Sequence, residues 1–183
     1  MKKKILIPGS NGLLGQKLVD YITKQPDFEL IATSLHTNKN PANDSYIFEL
    51  MDITQAVGVQ YICRRYKPDV IINAAGMTDV NRCEEDKSRA WRVNVEGVKI
   101  LADVANQIDA HLIHGSTDFV FDGISGFYQE NHIPNPVNYY GVTKWEGEKQ
   151  LQAIAKKWSI VRTVLVYGVT QNMARPNIAR SEE

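Results

Sequence analysis

A run of strand formers, Lys4-Ile5-Leu6-Ile7-Pro8, leads directly into Gly9-Ser10-Asn11-Gly12-Leu13-Leu14-Gly15, and an amphipathic stretch begins within the same turn. This GxxGxxG spacing between a strand and a helix restricts the chain to a few architectures. Glycines allow a tight backbone turn and close approach of a pyrophosphate, to which the unpaired N–H groups of a helix N-terminus are presented. Gly9, Gly12 and Gly15, with Asn11, Leu13 and Leu14 between them, are therefore the expected cofactor contacts. A plain glycine-rich βα turn is the competing reading, and the motif by itself specifies no reaction.

The rest of the chain alternates short apolar runs with longer amphipathic stretches, the pattern of a parallel sheet with helical crossovers. Strands are expected at Lys4–Pro8, Phe28–Thr33, Tyr46–Glu49, Val70–Asn73, His111–Gly115 and Ser159–Leu165. Helices are expected at Leu13–Lys24, Thr54–Tyr66, Lys87–Gln107 and Tyr139–Lys157. Right-handed crossovers then give an α/β fold of the Rossmann type, a doubly wound parallel sheet in the order 3-2-1-4-5-6. With 183 residues there is room for one well-cored domain, placed at residues 1–168. Residues 169–183 have no periodic apolar face and read as a tail or the start of a truncated lobe.

Formal net charge is zero, 21 basic against 21 acidic side chains, so neither nucleic acid nor an anionic membrane is an expected partner. The apolar run after Lys2-Lys3-Lys4 stops at Pro8-Gly9, too soon for a signal or membrane segment. Cys63 and Cys83 form no CxxC pair and no metal-ligand set. Reduced thiols, a cytoplasmic location and no metal are the expectation.

NAD-binding domains usually carry an acid at the end of the second strand for the ribose 2′-hydroxyl. Here that region holds Ser34, His36 and Lys39 with no carboxylate, which favours NADP(H) while NAD(H) stays open. Asp52-Ile53, after the third strand, is compatible both with a helix N-cap and with a contact to adenine. Asn73-Ala74-Ala75-Gly76, after the fourth, either packs against a cofactor or forms a tight turn.

Tyr140-Gly141-Val142-Thr143-Lys144 carries the catalytic signal. Residues four apart share a helix face, so Tyr140 and Lys144 project together. A nearby ammonium is expected to lower the phenol's ordinary value near 10 and favour acid/base exchange. Tyr139 has Thr143 in the equivalent place, which brings no charge. At the end of the fifth strand, Ser116 or Thr117 is placed to hydrogen-bond a substrate carbonyl. His111 and His114, on the same strand, read as structural.

Together GxxGxxG, NAAG, STDFVFDG, YGVTK followed by WEGE, and IVRTVLVYG resemble the extended short-chain dehydrogenase/reductases throughout residues 1–168. STDFVFDG with NYYGVTKWEGEK is most similar to the dTDP-4-dehydrorhamnose reductases within that group. The resemblance implies hydride transfer from NADPH to the 4-keto carbon of a nucleotide-linked 6-deoxyhexose, yielding dTDP-L-rhamnose. It also implies Thr117, Tyr140 and Lys144 as catalytic residues, with Tyr140 and Lys144 touching the cofactor too. Asp118 is a looser transfer. Members of the group carry a further C-terminal lobe that grips the nucleotide sugar, so the chain as given is expected to bind cofactor and to lack turnover. A homodimer stays open. The same motifs occur in sugar-nucleotide epimerases and dehydratases, and in the non-catalytic methionine adenosyltransferase β subunit.

Overall fold

A computed structural model describes residues 2–39 and 45–170. Most of the expected tail, 171–183, lies outside the described residues. The elements in chain order are β1 (Lys3–Pro8), α1 (Leu13–Ile22), β2 (Phe28–Ser34), β3 (Ile47–Leu50), α2 (Ala56–Tyr66), β4 (Val70–Asn73), α3 (Val80–Glu85), α4 (Lys87–Trp91), α5 (Gly97–Gln107), β5 (His111–Thr117), α6 (Tyr139–Ile154) and β6 (Trp158–Thr163). The six strands form one parallel sheet in the order β3-β2-β1-β4-β5-β6, as the alternation predicts.

Strands β1 to β4 supply apolar side chains to both sheet faces, as burial on both sides requires, whereas β5 and β6 contribute Leu112 and Ile160 to the larger core alone. Leu6, Ile31, Ile71 and Leu112 face α2, α5 and α6 in the larger core, whereas Ile5, Ile7, Leu30 and Ala32 pack against Val19 and Ile22 of α1. Burying each of the larger side chains stabilises the fold by about 1.5–3 kcal/mol. The register aligns Pro8 with Thr33, Asn73 with His114, and Thr117 with Thr163. The chemistry-bearing segments therefore meet beyond the carboxyl ends of the strands.

The structure departs from the expected elements in particular places. A short helix, α3, is capped by Asp79, whose carboxylate accepts the Arg82 N–H at 3.1 Å. The expected single helix over Lys87–Gln107 is three pieces, because Arg92–Glu96 forms a π-helical turn between α4 and α5. Asn94 in that turn accepts the Met77 N–H at 2.8 Å and donates to the Met77 carbonyl at 2.9 Å, so a tertiary partner stabilises the irregularity. Helix α2 starts at Ala56 rather than Thr54, with Gln55 as N-cap. Asp52 closes its own short turn instead, accepting from the Thr54 N–H at 2.9 Å and hydroxyl at 2.8 Å.

Candidate active site

The β1–α1 turn has a geometry only glycine meets. Gly9 has φ +84°, and a Cβ there would lie 2.5 Å from the Ala75 nitrogen. A Cβ on Gly15 would lie 2.2 Å from the Gly9 carbonyl oxygen. The α1 N-cap, Gly12, offers no side-chain acceptor, leaving the first N–H groups of the helix for a ligand. The Ser10 hydroxyl is buried with no partner among the described residues. This uncapped, backbone-lined cradle suits a pyrophosphate.

Asn11 does not point its amide into that cradle. Its side chain donates to the His36 carbonyl at 3.2 Å and the Thr37 carbonyl at 2.8 Å, and accepts the Lys39 N–H at 2.9 Å. Asn11 thus clamps the loop after β2 onto the glycine turn. His36 is exposed, Lys39 half-buried and Ser34 buried at the strand end. Ile53 is buried in the core, while Asp52 remains partly accessible. Ala74, Ala75 and Gly76 are accessible at the end of β4.

Tyr140 and Lys144 are both buried on α6, which Asn138 caps by accepting the Gly141 N–H at 2.8 Å. The buried face of this helix is polar and glycine-rich: Tyr140, Gly141, Thr143, Lys144, Gly147, Glu148 and Leu151. A Cβ at Gly141 would lie 2.2 Å from the Phe119 carbonyl, and one at Gly147 2.3 Å from the Asn94 carbonyl. Close backbone contact sets how deep the helix sits. Lys144 Nζ donates to the Gly115 carbonyl at 2.6 Å and lies 3.3 Å from His114 Nε2. Burial lowers Lys144 to about 8, and Glu148 opposes that change.

The phenol of Tyr140 differs from expectation. Burial raises it above the ordinary tyrosine value, and the hydrogen bond with Thr117 only partly opposes that rise. Lys144 does not lower it here, because its Nζ turns to Gly115 and His114. Thr117 lies beside the phenol, and its hydroxyl also caps the 3-10 turn Asp118–Val120 by accepting the Phe119 N–H at 3.2 Å. The Ser116 hydroxyl, the alternative to Thr117, is instead buried against Glu148.

Other buried polar groups complete the site without having been singled out in the sequence. Glu148 is fully buried and paired with Arg162 of β6, at 3.0 Å from Nε and 2.6 Å from Nη2. The pair is bidentate. Continuing the Tyr140/Lys144 spacing by four residues reaches Glu148, which was the available signal. Asn94 also donates to the Thr143 hydroxyl at 3.0 Å, joining the β4–α3 segment to α6.

The family described as RmlD substrate binding domain matches residues 2–182. Over 166 residues the chain is 37% identical to the dTDP-4-dehydrorhamnose reductase of Aggregatibacter actinomycetemcomitans, covering 90% of this chain and 52% of that protein. It is 30% identical over 172 residues to methionine adenosyltransferase 2 subunit beta of Xenopus tropicalis, covering 94% of this chain and 49% of that one. The crystal structure of dTDP-4-dehydrorhamnose reductase from Bacillus anthracis in complex with NADP superposes with a TM-score of 0.82 at 30% identity, covering 94% of this chain and 57% of that one. The chain spans about half the length of the curated relatives it matches.

Proposed function

The chain belongs to the RmlD substrate binding domain family, and from that premise we propose that it forms the NADP(H)-binding and catalytic part of a reductase acting on the 4-keto group of a nucleotide-linked 6-deoxyhexose, dTDP-4-dehydrorhamnose to dTDP-L-rhamnose. The observation that carries the reading is the hydrogen bond between Thr117 and Tyr140, with Lys144 buried one turn further along α6 and bonded to Gly115 near the end of β5, at the edge of the sheet that also bears the glycine turn. Residues 1–168 are the cofactor unit in this reading, and 169–183 lead toward the lobe that grips the nucleotide sugar.

Gly9, Gly12 and Gly15 admit the pyrophosphate, and the N–H groups of Leu13 and Leu14 donate to it. The loop that Asn11 clamps brings Ser34, His36 and Lys39 toward the ribose 2′-phosphate. The accessible Asp52 meets the adenine and Ala74, Ala75 and Gly76 line the nicotinamide side, while Ile53, buried in the core, and Asn73, bonded to Ala75 and His114, support those two turns from behind. When bound, NADPH supplies the hydride. Thr117 donates a hydrogen bond to the substrate carbonyl oxygen, and Tyr140 gives that oxygen its proton. Burial suits this direction of reaction, because a raised phenol stays protonated at neutral pH and is ready to act as the acid. Lys144 reaches the nicotinamide ribose.

Oxidation of NADPH on adding dTDP-4-keto-6-deoxyhexose tests the proposal. It is measured with a protein holding residues 1–183, alone and joined to the C-terminal lobe of the Aggregatibacter relative. The similarity to the methionine adenosyltransferase subunit favours a second reading, an NADP-binding module without turnover. NADPH binding with no oxidation in either form would support that module and remove the reductase.

A further inference from the structure

Behind Lys144, in the interior between β4, β5 and α6, lie two polar side chains that the proposed proton transfer does not touch, Asn73 and His114. Both are buried, His114 completely. Their hydrogen bonds fix where the protons sit. The Ala75 backbone N–H can only donate, so the Asn73 atom facing it at 3.1 Å is the carbonyl oxygen. The Asn73 amide nitrogen is thereby turned to His114, 3.1 Å from Nδ1. It donates, so Nδ1 is the bare nitrogen of the ring. The buried ring then carries its proton on Nε2, 3.3 Å from Lys144 Nζ. An ammonium has three donors and no lone pair, whereas an amine can accept.

We propose that His114 is a positioning residue for Lys144, donating from Nε2–H to the lone pair of the lysine nitrogen and so favouring the neutral amine over the ammonium in the cofactor-free protein. The amine in turn donates to the Gly115 carbonyl. The titratable groups that act on it are Glu148 on α6 and His114 on β5, with Arg162 of β6 reaching it only through Glu148. Glu148 favours the ammonium, but both of its carboxylate oxygens are engaged by Arg162. Burial acts in the same direction as the hydrogen-bond order, lowering Lys144 and holding His114 well below its ordinary value. Through Asn73 and His114, the turn that lines the proposed cofactor crevice and the lysine form one hydrogen-bonded unit. The inference takes its meaning from the reductase reading, but its test uses cofactor-free protein, so either can fail without the other.

The test follows the Lys144 side-chain resonances against pH in isotope-labelled 183-residue chain without cofactor, assigned by difference from Lys144→Met. The midpoint is expected at about 8. His114→Phe keeps a buried ring and removes Nε2–H. It is expected to raise the midpoint by about one pH unit, the worth of one hydrogen bond to the neutral form. An unchanged or lowered midpoint overturns the proposal, since losing an acceptor for an ammonium would lower it. If His114→Phe fails to fold, the ring nitrogen resonances of His114 in the unaltered protein decide. A proton on Nε2 with a bare Nδ1 supports the proposal, and a proton on Nδ1, or on both nitrogens, overturns it.

Discussion

Around the β1–α1 turn the functional surface is backbone, whereas around β5 and α6 it is side chain. At the turn, glycines clear space and the helix N-terminus supplies donors, so what matters is the absence of Cβ atoms at Gly9 and Gly15. At β5 and α6, Lys144, His114, Glu148, Arg162 and Ser116 hold one another in a buried polar set drawn from three elements. A backbone site tolerates no added atom, and a side-chain network tolerates no missing partner. The two regions should therefore fail in different ways when altered.

The largest separation is expected from Tyr140→Phe, which removes the proton donor and keeps the ring. Turnover by a protein containing this chain should fall about 10²–10⁴-fold in single-turnover NADPH oxidation, with cofactor affinity unchanged. Tyr139→Phe serves as control, and greater damage from it would break the assignment of the helix face. Next is Gly15→Ala, whose Cβ would meet the Gly9 carbonyl at 2.2 Å and the Ser10 Cα at 2.7 Å. Cofactor binding should be lost and stability lowered by about 3 kcal/mol or more in denaturant unfolding. Wild-type affinity in this variant would show that the turn does not hold the pyrophosphate.

A smaller effect follows from the lysine. Its folded value of about 8 lies below the ordinary 10.5, so between those values the unfolded chain binds more protons than the folded one. Stability relative to Lys144→Met should therefore rise with pH across that window, by at most about 3 kcal/mol, and stay flat below it. A curve that falls with pH there would mean the site stabilises the ammonium. The smallest expected effect concerns Ser34, His36 and Lys39. NADP(H) should bind several-fold more tightly than NAD(H) in a Trp-fluorescence titration, and Lys39→Glu should reverse the order. Equal affinities would remove the loop after β2 from cofactor selection.

The strand order and the glycine turn were legible because each depends on a local pattern: apolar runs at regular spacing, and three glycines at a strand–helix junction. Tyr140 and Lys144 were legible for the same reason, being four residues apart on one helix. Helix α3 was missed because its six residues are too few to show a period, although Asp79 before Arg82 was a capping signal. The partners of Lys144 were not legible. Asn73 and His114 come from different strands, and only the register of β4 on β5 brings them side by side. Arg162 meets Glu148 across a helix-to-strand return. On α6 the buried face is itself polar, so the usual equation of apolar with buried hides it.

The π-helical turn at Arg92–Glu96 fits one more residue into its turn than an α-helix would. The wider turn absorbs that extra residue, so α5 keeps the facing it would have after an uninterrupted helix, and Val98, Leu101, Ala102 and Ala105 fill the core. Deleting a single residue there, other than Asn94, would close the turn to a regular helix and leave the direction of that apolar face unchanged. A deletion in the middle of α5 has no such slack and would turn the residues beyond it by about 100° away from the core. One-residue deletions between Trp91 and Gly97 should therefore be better tolerated than deletions within α5, and should act chiefly through the Asn94 hydrogen bonds to Met77.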